Sequence, residues 1–214
     1  NTEQARFNMI EQQIRPWNVL DPSVLQLLAV VKREDFVPAA HRALAFMDTE
    51  VPLPEGQCML APRVEARLLQ ELHVQRHERV LEIGAGSGYM AALLAHKALS
   101  VRTLEKRPVL ADMARSNLKR AGVLNVDVLA ADGSIDHGGS YDVIVLSGSV
   151  AAVPAFLLKQ LKPGGRLVAI VGQEPVMRAT LYTCVAAGQC RHEVLFDTVA
   201  PRLEGFAEPA RFSF

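Results

Sequence analysis

The sequence predicts an α/β fold, a doubly wound and mostly parallel sheet that ends in an antiparallel hairpin. Two observations carry this. Between residues 80 and 171, short β-type runs alternate with helical patterns, as parallel strands require when each connection must return along the outside of the sheet. From Ala179 the alternation stops: ATLYTCV and HEVLFDTV follow one another across Ala-Ala-Gly-Gln, with no helical pattern between them. The 214 residues suffice for one domain with a buried core and are short for two. The expectation is therefore a single domain over 1–214, with a helical amino-terminal region and its loop in 1–75 and the sheet in 76–214.

The elements follow in order. Phe7, Ile10 and Ile14 share one helical face that ends before Pro16. Asp21 and Pro22 make an N-cap and first-turn pair ahead of Val24, Leu27, Leu28 and Val31. The stretch EVPLPEGQCMLAP holds Pro52, Pro54 and Pro62, too many for a central strand or a helix interior, and reads as a constrained loop. Pro62 then opens a helix carrying Val64, Leu68, Leu69 and Leu72. Strands are expected at Val80 to Ile83, Val101 to Leu104, Val126 to Leu129, Val143 to Leu146 and Arg166 to Val171, with helices after Gly88, Pro108 and Val153.

Composition excludes several classes of function. Lys plus Arg and Asp plus Glu are each 23, so the chain lacks the basic footprint of a phosphate-backbone binder, and nucleic acid is not expected as a partner. No apolar run approaches the ~20 residues of a membrane span. The opening NTEQARFNMIEQQIR lacks the basic-then-apolar progression of a signal peptide. Cys58, Cys184 and Cys190 are odd in number, without C-x-x-C spacing or nearby His, so neither a disulfide framework nor a zinc site is expected. That reading points to a reducing, cytoplasmic setting and to no metal. The oligomeric state is left open.

The stretch VLEIGAGSGYM carries the first chemical signal. Val80, Leu81 and Ile83 form a buried strand with Glu82 at its carboxyl end, and Gly84, Ala85, Gly86, Ser87 and Gly88 form a turn the backbone can take only with glycines in it. A dinucleotide fingerprint would need a third glycine where Tyr89 stands. The spacing E-x-G-x-G-x-G instead resembles motif I of S-adenosylmethionine-dependent methyltransferases, in which the acid contacts the methionine ammonium and the glycines lie under it. About twenty residues on, SVRTLE ends in Glu105 beside Lys106, where a carboxylate can accept both ribose hydroxyls. A third strand leads to Asp132 and Gly133, an acid placed for the adenine amino group and a glycine that leaves room for the ring. Ser147 follows the fourth strand. Acids ending three successive strands would share the carboxyl edge of one parallel sheet, where open α/β folds bind ligands.

Over nearly its full length the chain resembles the protein-L-isoaspartate O-methyltransferase family. REDFVP at Arg33 to Pro38, PLPEGQ at Pro52 to Gln57, VLEIGAGSGYMAALLA at Val80 to Ala95, Asp132-Gly133, YDVIVLSG at Tyr141 to Gly148 and LKPGGRLVAIVG at Leu161 to Gly172 follow that family's order and spacing. The resemblance implies a seven-stranded, Rossmann-like methyltransferase sheet and S-adenosylmethionine as cofactor. It also implies methylation of the isoaspartyl carboxylate of a damaged protein or peptide, as protein repair.

The departures fall on the acceptor side. The family continues Gly-Gln with Thr-Ile-Ser, whereas Gly56-Gln57 is followed here by Cys58-Met59-Leu60, so Leu60 stands where the family has its catalytic serine. After the fourth strand Ser147-Gly148-Ser149 replaces small residues and a proline, and the family's Phe-Val-Pro-Leu becomes Val199-Ala200-Pro201-Arg202. A carboxylate with pKa near ~4 is already ionised at neutral pH and needs no general base to attack a sulfonium methyl. The catalytic candidates are accordingly positioning residues, Gln57 and Cys58, and the scattered histidines are expected at the surface. Two alternatives stay open: a methyltransferase of this fold with a different acceptor, and a cofactor-binding protein that has lost repair activity.

Overall fold

The computed structural model describes residues 1–210. Among these, seven strands form one sheet: β3 (Arg79–Ile83), β4 (Ser100–Glu105), β5 (Val126–Ala130), β6 (Tyr141–Val150), β7 (Leu161–Gln173), β8 (Val176–Ala186) and β9 (Gln189–Thr198), in the order β5-β4-β3-β6-β7-β8-β9. Strands β3 to β7 pair in parallel, whereas β8 pairs antiparallel with β7 and β9. The fold class expected from sequence is the one observed. The first two strands, β1 (Val51–Pro52) and β2 (Cys58–Met59), form a separate small hairpin inside the proline-rich loop.

The chain steps outward from β3 to β4 to β5, then returns to lay β6 on the other side of β3. That reversal opens a crevice at the carboxyl ends of the strands. Alternation along the central strands divides the core. Val143 and Val145 face the larger cluster with helices α2 (Pro22–Val30), α3 (Pro62–Leu72), α4 (Tyr89–Lys97) and α5 (Pro108–Arg120), while Ile144 and Leu146 face a smaller cluster with Leu157 and Phe206. Leu68, Leu69 and Leu72 of α3 are fully buried, each contributing roughly 1.5 to 3 kcal/mol. Proline opens α2, α3 and α5, and Asp21 caps α2 by accepting the Ser23 N–H at 2.8 Å.

Two expectations need correction. Phe7 is exposed, and Arg6, Met9, Ile10 and Ile14 are the buried set of the first helix. That helix, α1 (Thr2–Met9), widens into a π-helical turn over Ile10–Ile14 and tightens into a 3-10 turn over Arg15–Trp17, so a constant 3.6-residue period does not describe it. The cysteines also pair. Cys184 and Cys190 stand opposite each other on β8 and β9 and are joined by a disulfide, leaving Cys58 as the free thiol. A sequence separation of six hides this juxtaposition, which the hairpin creates. Among the described residues no helix is long and apolar enough to cross a membrane.

Candidate functional site

A cleft lies at the carboxyl edge of the sheet, above the reversal between β3 and β6. It is lined by the sequence-identified Gln57, Cys58, Gly84, Gly86, Glu105, Lys106, Asp132, Gly133 and Ser147. Glu105 is buried at the end of β4, and its carboxylate accepts the backbone N–H of Gly86 and of Arg107, both at 3.0 Å. The Gly86 amide is therefore already satisfied, and a carboxylate stands where a dinucleotide site would need bare donors for phosphate. Asp132 accepts the Ser134 amide at 2.9 Å and hydroxyl at 2.6 Å on one oxygen. The Ser134 hydroxyl, ahead of other causes, holds the Asp132 carboxyl below its usual range. Its second oxygen faces Lys106 at 3.7 Å.

Behind this cleft lies a smaller cavity, lined by Cys58, Leu60, Glu82, Gly84, Ala85, Gly86, Ser87 and Ser147 together with Glu65 and Tyr89. Glu82 is wholly buried. One of its oxygens accepts the Thr103 hydroxyl at 2.7 Å and the other the Ser147 hydroxyl at 2.6 Å. Burial pushes its pKa up to about 8, against the opposing effect of the two hydroxyls. Ser147 and Gly84 line both spaces, so Ser147 stands between Glu82 and the cleft.

Gly88 and Gly133 have structural tasks beyond those read from sequence. A Cβ at Gly133 would lie 2.4 Å from the Ile83 side chain, so this glycine permits close packing on β3. Gly88, at φ 89°, lines neither space. It starts α4 and lets that turn approach Ala114 of α5, where a Cβ would meet backbone at 3.3 Å.

The proline-rich loop roofs the cleft from one side. Cys58 donates its thiol to Glu50 at 2.9 Å, and burial, ahead of Glu50, pushes the thiol pKa far up, so the group is a neutral thiol. Leu60, buried in the core, turns its carbonyl to Arg33, which donates to it at 2.9 Å. The carboxyl-terminal segment roofs the other side. It runs beside the end of β6 through Ser149 N–H to Pro201 at 2.7 Å and Leu203 N–H to Ser149 at 2.8 Å, placing Leu203, Glu204 and Phe206 on the cleft. Arg107 joins the two roofs, pairing with Glu55 at 3.0 Å and with Glu204.

Sequence reasoning missed Arg107, Leu203, Glu204 and Phe206, and also Glu65 and Tyr89 in the rear cavity. A basic residue two positions after Glu105 was a signal for Arg107, and the acceptor-side departure at Val199 to Arg202 pointed to the segment that carries Leu203, Glu204 and Phe206 without naming them. Among the described residues no cluster of His, Cys, Asp and Glu could hold a metal ion.

Comparison with known proteins adds an independent line. Residues 4–198 match the family model described as protein-L-isoaspartate(D-aspartate) O-methyltransferase. A protein-L-isoaspartate O-methyltransferase of Methanoculleus marisnigri is 42% identical over 169 residues, covering 78% of this chain and 77% of the relative. One from Koribacter versatilis is 36% identical over 194 residues, covering 90% and 87%. Among solved structures, a Plasmodium falciparum protein-L-isoaspartate O-methyltransferase in complex with S-adenosyl-L-homocysteine superposes with a TM-score of 0.79 at 20% identity, over 95% of this chain and 98% of that one, a likeness of fold.

Proposed function

This chain belongs to the protein-L-isoaspartate(D-aspartate) O-methyltransferase family, and from that premise we propose that it moves a methyl group from S-adenosylmethionine to the isoaspartyl carboxylate of a damaged protein or peptide. The observation that carries the reading is the meeting, in one cleft, of Glu105, Asp132 and the glycine turn with Gln57 and Cys58 of the proline-rich loop.

The residues present fit that cofactor. Glu105 offers acceptor oxygens to a ribose, Asp132 and Gly133 border the place of an adenine among Ile83, Leu104, Leu110 and Phe206, and Lys106 flanks Asp132. Gly84, Ala85, Gly86, Ser87 and Gly88 form the turn beneath the methionine part. Glu82 lines the rear cavity and orients the Ser147 hydroxyl, which borders the cleft as well. When bound, S-adenosylmethionine supplies the electrophilic methyl group.

The chain's own contribution is approximation and exclusion of water. An ionised carboxylate needs no proton removed, and the neutral Cys58 thiol is not a base. Gln57 and Cys58 border the acceptor side, and the roof closed by Arg107 limits solvent entry. We place residues 1–214 in one methyltransferase domain, 1–75 forming the acceptor side and 76–214 the cofactor sheet, supported by the core that α2, α3 and α4 share with β3 and β6. A neutral charge balance disfavours nucleic acid as partner. The proposal includes a cytoplasmic setting. Thiol titration of rapidly quenched cells tests that setting: Cys184 and Cys190 are expected as free thiols, and an oxidised pair would overturn it.

Leu60 favours a second reading, a different carboxylate acceptor, because an apolar side chain lines the rear cavity where the family carries a hydroxyl. Incubation with methyl-labelled cofactor, an isoaspartyl peptide and its aspartyl twin separates the readings. Label on the isoaspartyl peptide alone is expected; label on neither peptide would overturn the repair reading.

A further inference from the structure

Arg33 opens the REDF turn and is completely buried. One guanidinium nitrogen donates to Glu65 of α3 at 2.9 Å, and another donates to the Leu60 carbonyl at 2.9 Å. Its face lies 4.9 Å from the ring centroid of Tyr89, the first residue of α4 after the glycine turn. The same turn is fixed from its other residues: Glu34 accepts from Arg6, and Phe36 packs 5.6 Å from Tyr89. Arg33 thus touches the two elements that must be held at a set distance for methyl transfer, the exit of the Gln57–Leu60 segment and the helix that begins at the cofactor turn.

A buried ion pair by itself argues weakly for stability, since apolar residues of like volume usually serve as well or better. The bond to Leu60 is what an apolar pair would not reproduce. The planar fork can hold a carboxylate and a carbonyl in fixed relative directions, which a lysine ammonium does not.

We infer that Arg33 is a positioning residue for methyl transfer: through the Leu60 carbonyl it fixes the Gln57–Cys58 edge of the acceptor side against the cofactor turn. The inference rests on the methyl-transfer reading above.

The test compares wild type, Arg33→Lys, and the double variant Arg33→Met with Glu65→Leu, which removes both charges and fills their volume. Four readouts are taken: thermal midpoint, affinity for S-adenosylhomocysteine, kcat on an isoaspartyl peptide, and the labelling rate of Cys58 by methyl methanethiosulfonate. The double variant is expected to stay folded, with a midpoint lowered by several degrees for the stranded Leu60 carbonyl, and to bind S-adenosylhomocysteine within about threefold. Its kcat should fall at least roughly tenfold and Cys58 labelling should accelerate by a similar factor, as misplaced reactive groups require. Arg33→Lys, which keeps a charge opposite Glu65, should fall between the two and supplies the comparison where the double variant does not fold. Wild-type kcat or an unchanged Cys58 labelling rate in a folded variant would overturn the inference and make the pair merely structural. No turnover by the wild type would instead overturn the repair reading, while the labelling rates would still decide whether Arg33 holds the loop.

Discussion

The Ser147 hydroxyl sits 2.6 Å from a carboxylate oxygen of Glu82, a group that no solvent reaches. An acid with an ordinary pKa near 4.5 raised to about 8 in the fold binds a proton more tightly folded than unfolded. Its contribution to stability is complete below its unfolded pKa and is lost as pH rises through its folded one. Between pH 5 and 8 the protein without cofactor should lose on the order of a few kcal/mol from this group. Glu65, also raised by burial, adds a loss of the same sign. The difference between wild type and Glu82→Gln in urea unfolding across that range isolates Glu82, and parallel curves would contradict the assignment.

Glu105→Ala should weaken S-adenosylhomocysteine binding by about 1 to 3 kcal/mol, since it removes the ribose acceptor and strands two backbone N–H groups that Glu105 now satisfies. Calorimetry gives the value. Equal binding of NAD by the wild type would remove the cofactor assignment altogether.

Leu60→Ser should act in opposite directions on stability and rate. Loss of a buried leucine costs about 2 to 5 kcal/mol, while a restored hydroxyl that bonds the acceptor in the transition state would raise isoaspartyl turnover roughly ten- to a hundredfold. Initial rates at saturating cofactor, read beside thermal midpoints, check both. An ordinary wild-type rate with no gain in the mutant would show that position 60 does not set specificity.

Arg107→Ala should open the roof, because Arg107 is what ties Glu55 to Glu204. Cofactor dissociation should quicken by about threefold at low salt, and the gap between mutant and wild type should close near 1 M salt, where ~3 Å screening removes such exposed pairs. Stopped-flow displacement measures it; a gap that survives high salt would mean that the pairs are not the latch.

The sheet was legible because parallel strands bury both faces and announce themselves as apolar runs. Each expected parallel strand lies within an observed one, although β6 and β7 extend several residues further, to Val150 and from Leu161, and the last expected run, HEVLFDTV, passes the end of β9 by one residue, Val199. The cofactor edge was legible because acids and glycines at strand ends are local signals. What stayed hidden depends on distance along the chain. Nothing near Arg33 says that its partner is Glu65, and nothing near Glu204 says that it faces Arg107. Phe7 misled because the π-helical turn after Met9 changes the period that placed it. Glu82 was read as a ligand contact from its place at the strand end; that its oxygens accept from Thr103, directly across the β3–β4 register, and from Ser147 could not be read from the sequence.

The order in which the roof is made has a consequence for biosynthesis. Synthesis proceeds from the amino end and early segments begin to fold first, so the strands carrying Glu82, Glu105 and Asp132 emerge from the ribosome well before Leu203 and Phe206. A nascent or prematurely terminated chain can assemble the floor of the cleft and yet leave one wall open. Tight retention of the small molecule is thereby reserved for chains that extend through Phe206.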